Sequence, residues 1–259
     1  MCGIVGLFKN DGMIHSIAED TISSMTNSLL HRGPDDSAIF SDLSIDLLLG
    51  HRRLSILDTT KGGLQPMQSK SGNLVIVFNG EIYNHNDLRY KLENENKSII
   101  WNSSSDTETL LAAFEHWGVE ETLPKIRGMF AIALFNKSTK DLYLIRDRFG
   151  EKPLYYGWIQ TDKGTNFGFA SELKALRCFP EFSNKISRHA LAQYFSYMYV
   201  PCPYSIFEGI YKLEPGCLLK ISAQPPKTEP NDLPPVSYTH LRAHETREDR
   251  GCRRLLEKK

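Results

Sequence analysis

The chain opens MCGIVGLF, with a cysteine directly behind the initiator methionine. A second residue as small as cysteine permits removal of Met1, and Cys2 then carries a free α-amine. An α-amine titrates near about 7.7–8.0 and a thiol near about 8.5, so the amine is competent as a base at neutral pH. One residue then supplies both nucleophile and base. Gly3 beside it lets other backbone, or a bound molecule, come close. A cysteine is also a small hydrophobe that strands often bury, and Cys2 at the head of an apolar run fits that role too.

Three further stretches carry residue types that suit such a nucleophile. NGEIYN begins with Asn79 and Gly80, straight after the apolar run LVIVF. A side-chain amide next to an unobstructed backbone N–H is the donor pair an oxyanion needs. Asn-Gly is equally the strongest short hairpin signal, so a turn remains open. GHRRLSILD places Arg52 and Arg53 ahead of an alternating segment. Arg53 has the planar fork that grips a small carboxylate, while either arginine also serves as a solvated edge charge. SSSDTE sets Asp106 at a helix start, where a carboxylate suits the helix dipole as well as a bound ammonium group.

The elements that must position these residues are short strands alternating with a few amphipathic helices. Cys2–Phe8 reads as a strand. Ser16 to Glu19 forms a capping box that opens a helix with Ile22, Met25 and Leu29 on one face. His31-Arg32-Gly33-Pro34 ends it in a loop. Strands are expected at Asp46–Gly50, Leu54–Leu57 and Leu74–Phe78. Ser105 to Glu108 is a second capping box, and Gly118 closes the helix it opens. GMFAIALF and DLYLIRD, joined by the polar turn Asn136–Lys140, read as a hairpin, as do PLYYGWI and NFGFAS. Another amphipathic helix begins near Ser187. Several hairpins with few helices predict an α+β fold of antiparallel sheets covered by helices.

The 259 residues, 41% of them hydrophobic and 24% charged, suffice for a substantial core. Thirty-one basic residues balance 31 acidic ones, which leaves no electrostatic footprint for nucleic acid or an anionic membrane. The apolar runs are strand-sized, too short to span a bilayer, and the N-terminus has no secretory pattern. Five scattered cysteines without a C-x-x-C pair argue against a disulfide framework and a zinc site, so the chain reads as cytoplasmic with reduced thiols.

MCGIVGLF, HRGPDD, GHRRLSILD, NGEIYN, SDTE, IRDRFGEKPLYY and FASELKAL occur in the order and spacing of the class II glutamine amidotransferase domain of asparagine synthetase, which the chain resembles from Cys2 to about Leu176. The resemblance implies a four-layer αββα sandwich of two antiparallel sheets flanked by helices, the N-terminal-nucleophile hydrolase type. It implies that Cys2 is the nucleophile and its α-amine the base, that Asn79 and Gly80 form the oxyanion hole, that Arg53 binds the α-carboxylate of glutamine and Asp106 its α-amino group, and that Leu54, Ser55, Ile56, Leu57 and Glu81 line the pocket. His31, Arg32 and Asp35 fall on a loop matching one near the family's site. IRDRFGEKPLYY is read as architectural, with Gly150 and Pro153 fixing a turn.

Glutamine would be cleaved to glutamate and ammonia with no metal or cofactor, and the ammonia passed to an acceptor such as aspartate. In proteins of this kind a synthetase domain or subunit, using ATP and Mg²⁺, takes that ammonia, and a homodimer is among the assemblies implied. The chain contains no Ser-Gly-Gly-x-Asp-Ser loop of such a domain. Residues 2–186 are accordingly read as the amidotransferase domain, 187–222 as a connector, and 223–259 as a proline-rich linker with a disordered, non-native tail. A truncated gene is expected, a stand-alone glutaminase subunit being the other possibility for the chain end. A non-catalytic glutamine-sensing or scaffolding module on the same fold is the alternative function.

Overall fold

In the computed structural model, residues 1–9, 15–161, 164–222 and 236–238 are described. Along the chain they form β1 (Gly3–Lys9), α1 (His15–Asn27), β2 (Asp36–Asp42), β3 (Leu47–Arg53), β4 (Met67–Gln68) and β5 (Leu74–Ile82). Then come α2 (His85–Glu95), α3 (Asp106–Thr122), β6 (Gly128–Asn136), β7 (Asp141–Arg146), β8 (Tyr155–Thr161) and β9 (Gly164–Ala170). Helices α4 (Leu173–Leu176) and α5 (Arg188–Tyr197) precede β10 (Ile210–Lys212), β11 (Cys217–Ile221) and β12 (Val236–Ser237).

The strands build two antiparallel sheets, ordered β10-β8-β9-β1-β3-β2 and β12-β11-β7-β6-β5-β4. The two-residue strand period sorts each apolar run between two cores. Val75, Val77, Ala131 and Ala133 of the second sheet meet Ile4, Phe8, Leu47 and Leu49 of the first. Their neighbours Ile76, Phe78, Ile132 and Leu134 pack outward on Leu88 of α2 and Leu110 and Phe114 of α3. Val5, Leu7 and Leu48 pack on Ile22, Met25 and Leu29 at α1 and on Ala175 and Leu176 of α4. The result is the α+β, four-layer αββα sandwich. Strands buried on both faces read as continuous apolar runs, which is why LVIVF and MFAIALF lack alternation.

Several local expectations change. Leu54–Leu57 is no strand: β3 runs unbroken through Arg53, and the segment after it is a loop with Ile56 and Leu57 exposed. Strand β2 and helix α2 were not foreseen. In β2 inner and outer positions alternate without any becoming fully buried, as suits a sheet edge, and α2 buries only Leu88 and Leu92. The Ser105 cap holds, its hydroxyl accepting from Thr107 N, but Glu108 reaches past the cap to Asn102 N and Ser103 N, each at 2.8 Å. Gly118, at φ 80°, breaks α3 as its position suggested. The Ser16 side chain of the first capping box lies outside the described residues, while Glu19 is exposed.

Ser187 caps α5 through Ala190 N. Beyond it, the stretch read as a connector supplies β10 to one sheet and β11 to the other. Most of 223–259 lies outside the described residues. Val236 and Ser237, however, pair with β11, and Tyr238 is buried with its hydroxyl donating to Arg146 O at 2.7 Å.

Candidate active site

Register places the cysteine. β1 pairs with β3 so that Gly3 lies opposite Arg52, which brings Cys2, one residue earlier, level with Arg53. Cys2 Sγ accepts from Leu54 N at 3.4 Å and lies 3.7 Å from Leu54 O. Its carbonyl accepts from Arg32 Nε at 2.9 Å, and Arg32 Nη1 is held by Glu172 at 2.9 Å, as is His31. On the next residue pair, Ile4 and Ser171 exchange two hydrogen bonds of about 3 Å. A side chain on Gly3 would meet Leu29 at 2.9 Å, so the residue after Cys2 must be small. Burial pushes the Cys2 thiol up. The Leu54 N–H, the chain's N-terminal ammonium and Arg53 act the other way, and Asp106 adds to the rise.

The second sheet delivers Asn79 and Gly80 from the interior of β5, opposite Ala131 and Phe130, so the Asn-Gly pair is no hairpin turn. β4 covers the outer edge of β5 only at Val75 and Ile76. Farther along, side chains take that edge. Phe78 N donates to Gln65 Oε1 at 2.6 Å, and Ile82 N donates to Asp106 Oδ2 at 2.9 Å. By the strand period the Gly80 N–H faces the same way, between those two, and Gly80 lines a cavity there. A Cβ on Gly80 would stand 2.0 Å from Met129 O, so only glycine permits the approach of β6. Asn79 is 1% exposed, and among the described residues neither polar atom of its amide has a partner. A buried amide without a partner costs about 1–3 kcal/mol, and this one is placed beside a thiol.

Arg53 is buried and anchored by its own following loop. Nη1 donates to Thr60 O at 2.8 Å and to Asp36 Oδ2 at 3.2 Å, and Nη2 donates to Asp58 O. A guanidinium has five N–H donors, so donors remain for a ligand. A Cβ on Gly63 would stand 2.4 Å from Nη2. Asp58 shapes the loop: its carboxylate accepts from Thr60 N and Oγ1 and from Ser104 N, and the Thr60 bonds hold it below the usual carboxylate range. Asp106, 5% exposed, follows the Ser105 cap rather than acting as the cap, and burial pushes its carboxyl up.

Cys2, Arg53, Leu54, Ile56, Leu57, Asn79, Gly80, Glu81 and Asp106 all line one cavity of about 100 Å³. Ser55 does not line it; its N–H is used by Asp35 Oδ2 at 2.8 Å. Met1 forms part of the wall, its sulfur 3.4 Å from Nζ of the buried Lys152.

Residues 1–230 match the family model described as the glutamine amidotransferase domain. The chain belongs to this class II family. It is 42% identical over 217 residues to the glutamine-hydrolysing asparagine synthetase 1 of Bacillus subtilis, covering 83% of this chain and 33% of that protein. To the glutamine-hydrolysing asparagine synthetase 3 of the same organism it is 35% identical, over 86% of this chain and 35% of the relative. The chain thus spans about a third of the length of these relatives. Among solved structures, glutamine phosphoribosylpyrophosphate amidotransferase from B. subtilis, complexed with ADP and GMP, superposes at a TM-score of 0.62 and 20% identity, over 92% of this chain and 49% of that one. That likeness is one of fold.

The amidotransferase domain also uses residues that sequence reasoning passed over. Gln65 and His51 brace β5 from outside and from the facing sheet, and Ser171 ties β1 to the end of β9. Asp147 organises the 147–152 turn by accepting from the N–H groups of Phe149, Glu151 and Lys152 at 2.9–3.0 Å. Gly150 takes φ 67° there, as its turn role required. An Asp three residues before a Gly is a turn signal, and it is the sequence feature that points to Asp147. Among the described residues no helix is long and apolar enough to cross a membrane.

Proposed function

We propose that this amidotransferase domain hydrolyses glutamine to glutamate and ammonia through a thioester on Cys2. The observation that carries the reading is the buried, unpartnered amide of Asn79 beside the open edge at Gly80, in the cavity that holds the Cys2 thiol. With Met1 removed, the Cys2 α-amine takes the thiol proton and the sulfur adds to the side-chain amide carbon. The carbonyl electron pair moves onto oxygen, where Asn79 and the Gly80 N–H receive it; each such donor contributes about 3 kcal/mol. Collapse breaks the C–N bond as the α-ammonium returns the proton to the leaving nitrogen, releasing ammonia. Water, deprotonated by the same amine, then adds to the thioester, and its collapse yields glutamate and the free thiol.

Arg53 and Asp106, which line the same cavity, take the α-carboxylate and α-ammonium of the substrate. Desolvation strengthens both contacts. The relatives' names pair glutamine hydrolysis with asparagine synthesis. We therefore assign the ammonia to an acceptor such as aspartate, held by a synthetase region or subunit. The need for ATP and Mg²⁺ belongs to that acceptor chemistry, and the glutaminase steps run on this chain's own groups. The scattered spacing of the cysteines, without a C-x-x-C pair, favours a reducing, cytoplasmic setting.

Incubation of the Met1-processed protein with glutamine should release glutamate and ammonia in equal amounts, and Cys2→Ala should abolish both. Release by Cys2→Ala at the native rate would refute the proposal.

A further inference from the structure

Beyond the short β4, the edge of β5 that faces the cavity is held by side chains from two layers of the fold. The Phe78 N–H donates to Gln65 Oε1 at 2.6 Å, and Gln65 is itself fixed by donating from Nε2 to Thr107 Oγ1 at 3.1 Å. The Phe78 carbonyl accepts from His51 Nε2 at 3.3 Å. His51 sits on β3, two residues before Arg53, so its ring crosses from the first sheet to the second and is 1% exposed. A carbonyl only accepts, so Nε2 carries the proton. Burial lowers the ring's pKa to about 3, with Arg53 acting in the same direction, so the ring is neutral. It neither donates charge nor lines the cavity, and the glutaminase steps do not use it.

We infer that His51 is a positioning residue for the oxyanion hole, holding the peptide that joins Phe78 to Asn79 so that the Asn79 amide and the Gly80 N–H converge on one point. This inference deepens the glutaminase reading and rests on it. The Phe78 carbonyl and the Asn79 N–H share one rigid peptide plane, so turning that plane swings the Asn79 side chain. Oxyanion donors act within about 2.7–3.1 Å of the developing charge, and a misplacement of about 1 Å costs on the order of 100-fold in rate. Arg53 is fixed by Asp58 and Thr60 in the loop after β3, and Asp106 by Ile82, which is on β5 but four residues beyond Phe78 and anchored by a hydrogen bond of its own. Loss of the His51 contact should therefore slow chemistry without loosening glutamine.

His51→Gln and His51→Asn separate this role from mere filling of space. The amide nitrogen of glutamine reaches the place of Nε2, whereas asparagine stops at the place of Nδ1. In the Met1-processed protein His51→Asn should lose roughly 30-fold in kcat with KM for glutamine within about twofold, and His51→Gln should recover to within about threefold of native. Gln65→Met, which frees the Phe78 N–H one peptide earlier on the same strand, should also lower kcat and serves where His51→Asn does not fold. Equal rates for His51→Asn and His51→Gln, or a loss that lies entirely in KM, would overturn the inference. Absence of hydrolysis by the native processed chain would overturn the glutaminase reading beneath it, a failure visible before any variant is compared.

Discussion

Asp106 accepts a hydrogen bond from Ile82 N at 2.9 Å, which ties the start of α3 to the strand that carries Asn79 and Gly80. One carboxylate oxygen thus fixes the oxyanion strand while the group as a whole lines the cavity. In the proposed glutaminase, this one residue joins the substrate clamp to the reaction centre.

Asp106→Asn separates the charge from the shape. Charge-assisted bonds contribute about 1.5–3 kcal/mol, so KM for glutamine should rise roughly 10- to 100-fold, with a smaller change in kcat. Stability should move the other way. Burial raises the Asp106 carboxyl in the folded state, so its ionised form opposes folding at pH values above that raised pKa and costs nothing once pH falls below the ordinary carboxylate value. The substrate-free variant should therefore melt higher than native at pH 7, with the difference shrinking towards pH 3. Thermal melts across that range check the sign.

Gly63→Ala tests the mounting of Arg53. The added methyl would stand 2.4 Å from Nη2, and the guanidinium, held by Asp58 O and Thr60 O, must shift to admit it. The expected outcome is a KM raised about tenfold or more in steady-state kinetics, since a bidentate carboxylate contact depends on geometry. Alkylation of Cys2 by a small neutral reagent should change far less, because the thiol's hydrogen-bond contacts are with Leu54 and Arg53 acts on it only through its charge.

Asn79→Ala removes the amide that has no partner among the described residues. Its kcat should fall about 10²- to 10³-fold with KM little changed. Because the native amide is buried without hydrogen bonds, the substitution removes an unsatisfied group, and the melting temperature should not drop as it does for other buried truncations. A large fall in stability would show that the amide is bound in the resting state.

The α+β arrangement of antiparallel sheets was legible in its hairpins, such as GMFAIALF with DLYLIRD, while the four-layer sandwich was implied only by the family resemblance. Cys2, Arg53, Asn79, Gly80 and Asp106 were legible as chemistry, but each kept a plain structural reading until tertiary register brought them together. Leu54–Leu57 was misread as a strand since its alternation resembles one. Its exposed Ile56 and Leu57 belong to a cavity mouth, where binding outweighs burial. The braces were not legible at all. His51 and Gln65 meet Phe78 across 27 and 13 residues of sequence, through a carbonyl and an N–H that every residue type presents alike. β11 adds to the second sheet from a segment that reads as a connector, because short strands gain their partners only in the folded chain.

The proposed base is the Cys2 α-amine, and Met1 decides whether it exists. Two preparations of the same chain, one with Met1 and one without, each verified by mass spectrometry of the N-terminus, should be compared for glutamate release. A positioned base contributes about 10²- to 10⁴-fold, so the Met1-free protein should turn over glutamine at least 100-fold faster. Equal rates from the two would contradict the account.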